Sequence, residues 1–234
     1  MIKCKWQGRL GNVLLQCVGI RLLSIKFDLK VDRYSDDYNF EKLGFKKYSG
    51  QNSYNNLLNL FDTDILNLIK ETKIESGIYF DGLFQIKEFV LKYRLDIKNS
   101  FNLSYNYQNP DNIFIHVRLD DAQELTPGYE YYKKCLENTS FNKGYISSDS
   151  PNSELVNKLI NEFNLILYQN TPIDTINFAK DFSKIILSEG TFSWWIGMLS
   201  NAKEIYYPKI QGAKRWHGDI FVYDDWIPIT IKNN

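Results

Sequence analysis

Short apolar runs alternate along the chain with longer stretches whose apolar residues recur every three or four positions, and this alternation predicts most of its elements. The first run predicts a short strand over 2–6. A polar turn, Q-G-R-L-G-N, follows it, and Leu14, Leu15, Val18, Leu22 and Ile25 then fall at helical spacing, predicting a helix over 13–24. A second strand is expected over 27–31. Residues 34–56, from Y-S-D-D to Y-N-N, are polar, rich in tyrosine and without a period, so a long irregular excursion is expected there. A helix over 64–72, a strand in G-I-Y-F-D-G-L-F-Q and a helix over 86–93 complete the first half.

The second half alternates more cleanly. Strands are predicted over 113–119, 144–148, 165–168, 185–188 and 204–208. Helices are predicted over 129–138, 154–163 and 175–182, and again after Gly190. Strand and helix in this rhythm imply an α/β fold, a mostly parallel sheet with helices on both faces. Between them, 99–112 is rich in Asn and Ser with one proline and reads as a linker. Two units are therefore expected, 1–105 and 106–234.

Composition narrows the function classes. Lys+Arg and Asp+Glu are both 28, giving zero formal net charge, so no general field favours nucleic acid or anionic lipid and any anion site must be local. Cys4, Cys17 and Cys135 are far apart, and with only 2 histidines there is no recognisable zinc framework. A sparse, odd cysteine count suits a reducing compartment. The N-terminal segment lacks a continuous apolar core, and Asn12, Gln16 and Arg21 interrupt the apolar stretch behind it, short of the roughly 18 to 20 residues of a membrane span. A soluble, cytoplasmic chain without an integral membrane segment is expected. The sequons at Asn102 and Asn138 carry no meaning in that compartment.

Ligands of open α/β sheets bind at the carboxyl ends of strands. Polar clusters fall at such ends: His116 to Asp121, Ser147 to Ser150, and Ser188 to Ser193. Gly190 permits close backbone approach, Thr191 is a suitable N-cap, and the opening N–H groups of the next helix lack intrahelical partners, so a phosphate fits there. Arg118 supplies a planar, bidentate positive charge. Trp194 and Trp195 read as core that anchors the helix. G-R-L-G-N alone reads as an ordinary tight turn; it is neither G-x-G-x-x-G nor a Walker loop. His116 reads equally as a satisfied strand-end histidine or a ligand contact, and Asp120 and Asp121 equally as solvated loop or site.

Taken in order, G-R-L-G-N-V-L-L-Q, Y-F-D-G-L-F-Q-I-K-E-F, I-F-I-H-V-R-L-D-D, Y-I-S-S-D-S and T-F-S-W-W-I-G-M-L resemble the alpha-1,2-fucosyltransferase family. Its members carry G-x-G-N-Q-x-x-Q, a G-Y-F-Q-S-like segment, H-V-R-R-G-D, F-S-D-D and S-S-F-S-W-W-G in the same order. The resemblance runs from Gly8 to about Pro208. It implies a GT-B-like glycosyltransferase with two Rossmann-type lobes, the first on the acceptor side and the second binding the donor. It further implies an inverting, metal-independent mechanism without a cofactor, a GDP-sugar co-substrate, usually GDP-fucose, and a glycan acceptor joined through an alpha-1,2 linkage. Arg118 matches the first arginine of H-V-R-R-G-D, which contacts the donor pyrophosphate; His116 and Asp121 match that motif's outer members. Gly8, Arg9, Gly11 and Asn12 match a loop facing the diphosphate. Asp149 matches the segment near the nucleoside, and Gly190, Thr191, Phe192 and Ser193 lie in the phosphate-side turn.

The chain departs from the family pattern at Leu119, Asp120, Val13, Glu189 and Gly190. Replacing a cation by Leu119 and adding carboxylates weakens a diphosphate site by about 1 kcal/mol or more per charge near a partly buried site. A catalytically silent nucleotide- or glycan-binding relative is the alternative, as is a transferase using another nucleotide sugar. An NAD-dependent enzyme is disfavoured because no strand leads into G-x-G-x-x-G with an acidic residue about 20 positions on. For transfer, Arg118 and the helix start carry the leaving-group charge, and Asp121, with Asp120 and Glu124 behind it, is the candidate general base.

Overall fold

The computed structural model describes residues 1–106, 111–120, 125–211 and 218–232. The chain divides into two compact α/β units, one of residues 1–103 with 218–220, the other of 104–211 with 221–232. Both are built on parallel strands.

In the first unit, β1 (Ile2–Cys4), β2 (Leu57–Leu60) and β3 (Gly77–Phe80) form a sheet in the order β1-β3-β2, all parallel. The predicted strand over 27–31 is reduced to single bridges, Ile2 with Val31 and Leu29 with Asn52. Its first residues belong to the preceding helix, which closes at Asp28 in the left-handed conformation. That helix, α1 (Leu10–Phe27), begins earlier and ends later than its apolar spacing predicts. Leu10, Gly11 and Asn12, expected in a turn, form its opening residues because Leu10 is buried and Arg9 already takes the N-cap position.

By length and mean hydropathy, 18 residues at 1.4, α1 is apolar enough to cross a membrane, contrary to the reading that its polar residues break it up. In this unit 72% of it is buried. The interrupting polar residues have internal partners: Arg21 donates to the Lys46 carbonyl at 2.7 Å and the Ser100 hydroxyl at 3.1 Å. Fully buried Gln16 donates to the Lys5 and Gly82 carbonyls and accepts from the Gln7 N–H. The expected irregular excursion holds one 3-10 turn (Phe40–Leu43), and Phe40, Leu43 and Phe45 bury themselves under it. Helices α2 (Asp62–Leu68), α3 (Lys87–Lys92) and α4 (Arg94–Asn99) complete the unit. Neither β2 nor α4 was expected. Each is short, and Leu58 of β2 and Leu95 of α4 lie exposed, so no clear apolar face marks them in the sequence.

The second unit carries β4 (Ile113–Val117), α5 (Tyr129–Glu137), β5 (Gly144–Ser148), α6 (Glu154–Phe163), β6 (Ile166–Leu167), α7 (Pro172–Ala179), β7 (Lys184–Ile186), α8 (Thr191–Leu199), β8 (Glu204–Gln211) and β9 (Ile227–Lys232). Its strands align as β6-β5-β4-β7-β8-β9, every pair parallel. Numbered within the unit, that is the 3-2-1-4-5-6 order of a Rossmann-type sheet. The unexpected β9 extends the sheet through Ile227, Ile229 and Ile231, which pair alongside β8.

All of β4 is buried, as a strand covered on both faces requires. Ile113, Ile115 and Val117 join a core with Tyr131, Tyr132 and Leu136 of α5 and Val156 and Leu159 of α6. On the opposite face Phe114 meets Phe178 and Phe182, and His116 meets Phe192 and Ser193. Order reverses between β4 and β7, so their carboxyl ends flank the topological switch point, where chain crossovers diverge and leave a crevice.

Candidate functional site

Arg118 follows β4 directly, and Ser188, Glu189 and Gly190 follow β7, so the strand order alone carries these residues to the switch point. Gly190, not Thr191, is the N-cap of α8, and as a glycine it brings no capping side chain of its own. The expected Thr191 cap is displaced by one residue: Gly190 sits at φ 98°, ψ 164°, a conformation open essentially only to glycine, and Thr191 becomes the first helical residue. A Cβ on Gly190 would lie 1.9 Å from Nη1 of Arg118. The guanidinium thus rests against the backbone that opens α8, at the positive end of its dipole. The positive end of a helix dipole and a guanidinium are thus placed together in a chain of zero formal net charge.

A hydrogen-bonded chain fixes this geometry. The Arg118 N–H donates to the Ser188 hydroxyl at 3.2 Å, the Ser188 N–H to the Ser193 hydroxyl at 2.8 Å, and that hydroxyl shares a 2.7 Å bond with His116 Nδ1. The ends of β4 and β7 and the opening turn of α8 are tied by it. Tyr131 adds a bond from α5 to the Leu187 carbonyl at 2.7 Å. Burial, with the Arg118 charge second, brings the pKa of His116 down to about 3, so the imidazole is neutral. His116 therefore orients and does not contribute charge. Ser188 and Tyr131 are the residues that sequence reasoning undervalued. Ser188 opens the polar cluster that follows β7, whereas Tyr131 reads only as one more apolar position of a helix.

Asp149, at the end of β5, accepts the N–H groups of Leu119 and Asp120 at 2.8 and 3.3 Å. It clamps the exit from β4, which holds the Arg118 backbone from the other side. Thr191 and Phe192 are half-buried at the rim, and the Phe192 ring lies 5.0 Å from that of His116. Glu189, beside Gly190, is buried. Trp194 and Trp195 are fully buried and meet edge to face at 4.8 Å, which is the core role expected of them. Asp121 and Glu124 lie outside the described residues, while Asp120 is exposed.

Gly8, Arg9, Gly11 and Asn12 belong to the first unit. Gly8 is exposed at φ 81°, and the Asn12 side chain folds back over it, 2.4 Å from where a Cβ would stand. Asn12 in turn accepts from Gln85 Nε2 at 3.0 Å. Gly11 is buried inside α1, and Arg9 is exposed. The structure brings together Arg118, His116, Gly190, Thr191, Phe192, Ser193 and Asp149 in one unit, and Gly8, Arg9, Gly11 and Asn12 in the other. Among the described residues no three His, Cys, Asp or Glu side chains gather where they could hold a metal ion. No protein-family model matches the chain, and neither does a curated protein or a solved structure.

Proposed function

We propose that the protein is a glycosyltransferase that moves a sugar from a nucleotide-diphosphate donor to a hydroxyl of a glycan acceptor. The single observation that carries this reading is the Arg118 guanidinium lying against Gly190 at the start of α8, at the switch point of a Rossmann-type sheet. A diphosphate is the group that such a pairing of bidentate cation and helix dipole suits. The order of the five resembling strings supports L-fucose from GDP-fucose as the donor, an alpha-1,2 product, and the two units as the lobes of a GT-B-like, inverting, metal-independent enzyme.

In this reading the bond from the anomeric carbon to the diphosphate oxygen breaks with its electron pair passing to the diphosphate. Arg118 and the α8 N-terminus stabilise that developing charge. The acceptor oxygen forms the new bond on the opposite face and gives its proton to a carboxylate, Asp121 first and Asp120 behind it. His116, Ser188 and Ser193 hold the anion-binding groups in register.

Thermal unfolding in the presence of GDP, UDP, ADP and CMP sugars tests the donor class, since stabilisation grows with ligand concentration over Kd. A shift with GDP sugars is expected; equal indifference to all four overturns the reading. Arg118→Ala should abolish transfer and leave the unfolding temperature of the unliganded protein unchanged, and wild-type transfer by that variant would remove the role given to it.

Buried Glu189, next to the phosphate turn, favours one second reading: a silent nucleotide binder. GDP binding without donor hydrolysis or transfer over a broad acceptor panel would select it.

A further inference from the structure

The first unit holds an open pocket of about 470 Å3 lined by Gln7, Gly8, Phe61, Asp62, Asp81 and Leu83, with Asn12, Thr63 and Gly82 completing it. Small-molecule sites commonly span ~300–1,000 Å3, apolar walls with a few convergent polar groups. Its position follows from topology: Gln7, Phe61 and Asp81 lie just past the carboxyl ends of β1, β2 and β3, where open parallel sheets bind ligands.

The wall chemistry selects a ligand class. Asp62 is held by the backbone, its oxygens accepting the Leu83 N–H at 2.9 and 3.1 Å and the Phe84 N–H at 2.7 Å. Asp81 is held by side chains, accepting Gln7 Nε2 at 2.7 Å and Lys5 Nζ at 3.0 Å. Both carboxylates are therefore pre-oriented, and each keeps acceptor capacity, since an ionised carboxylate offers about four lone-pair positions. Phe61 is 52% exposed, an apolar ring at the pocket edge. Paired carboxylates repel phosphate and other anions. The single Lys5 contact and the backbone N–H groups offset part of their charge and lower the appeal of the pocket to cations. Hydroxyl donors arranged around an apolar face satisfy both kinds of wall.

We infer that this pocket binds one ring of a neutral carbohydrate, its hydroxyls donating to Asp62 and Asp81 and its C–H face resting on Phe61. The Gly8 and Asn12 loop thereby serves a sugar and not a diphosphate, which differs from what the family resemblance implies for it. Naming that sugar as the acceptor rests on the transferase reading; the binding itself does not.

The test is titration of the full chain with methyl glycosides of glucose, galactose, mannose and fucose, followed by saturation-transfer NMR, with glucuronate and glucosamine as the anionic and cationic comparators. Saturable binding of at least one neutral glycoside is expected, weakened about tenfold or more by Asp81→Asn and by Phe61→Ala, since each removes a principal wall contact. Phe61 is exposed, so its variant keeps the test valid should Asp81→Asn fail to fold. Arg118→Ala should lower GDP binding and leave the glycoside unaffected. Binding of glucuronate or glucosamine alone, no saturable binding of any neutral glycoside, or indifference to Phe61→Ala overturns the inference. A glycoside bound by a protein that ignores GDP leaves the pocket standing and the transferase reading fallen; the converse result sinks only the pocket.

Discussion

His116 shows how one residue links fold and site. Its folded pKa, about 3, lies below the ordinary 6.5, so on acidification the unfolded chain takes up a proton that the folded chain refuses. The stability attached to it is complete above pH 6.5 and falls as the pH drops toward 3. By pH 5 the loss is about 2 kcal/mol, from roughly 1.4 kcal/mol per pH unit per proton. Urea unfolding at pH 7.5 and pH 5 should show that loss in the wild type, and His116→Gln should lack this part of it. Gly190 makes a second case. Gly190→Ala forces a side chain into φ 98° and pushes the Arg118 guanidinium aside, so a loss of about 1–3 kcal/mol from the strained backbone is expected together with weaker GDP binding. Calorimetry and a GDP titration on one preparation measure both; unchanged affinity would detach Arg118 from the helix start.

At the scale of elements, α8 combines a polar start, capped by a glycine, with a wholly buried body. Ser193 through Leu199 are all buried, and Trp194 and Trp195 are among the largest side chains in the core. Trp195→Ala should cost about 3–5 kcal/mol in denaturant unfolding, with Trp195→Phe losing less. A cost under 1 kcal/mol would mean that the helix is not anchored as described. The same element shows what is legible in sequence. A strand, a Gly-containing turn and an aromatic helix are visible in S-E-G-T-F-S-W-W, and so is Arg118 behind the apolar I-F-I-H-V run. That Gly190 takes the cap from Thr191 is not visible, because it depends on a backbone angle and on the closeness of Arg118, distant in sequence. Helix α1 shows the opposite error: Gln16 and Arg21 look like interruptions until their carbonyl partners, distant in sequence, are known.

For the whole molecule, the six-stranded sheet has β4 and β7 at its centre and β6 and β9 at its edges. Strands paired on both sides and covered on both faces open only with the unit. Amide exchange should therefore be slowest in Ile113–Val117 and Lys184–Ile186 and fast in Ile166–Leu167, whose residues are exposed at an edge. Equal rates would contradict the strand order. The zero net charge acts at this scale too: with no molecular field to draw an anion, the proposed donor site rests on the local pairing of Arg118 with α8.

From residue order alone came the alternation of strand and helix in the second half, the core role of the tryptophan pair, and the polar clusters at strand ends, because periodicity and turn chemistry are local. Strands β2 and β9, helix α4, the Asp149 clamp, the capping by Gly190 and the pocket around Asp62 and Asp81 were decided by tertiary structure. Each depends on partners tens of residues away in the chain, and no local pattern encodes such a meeting.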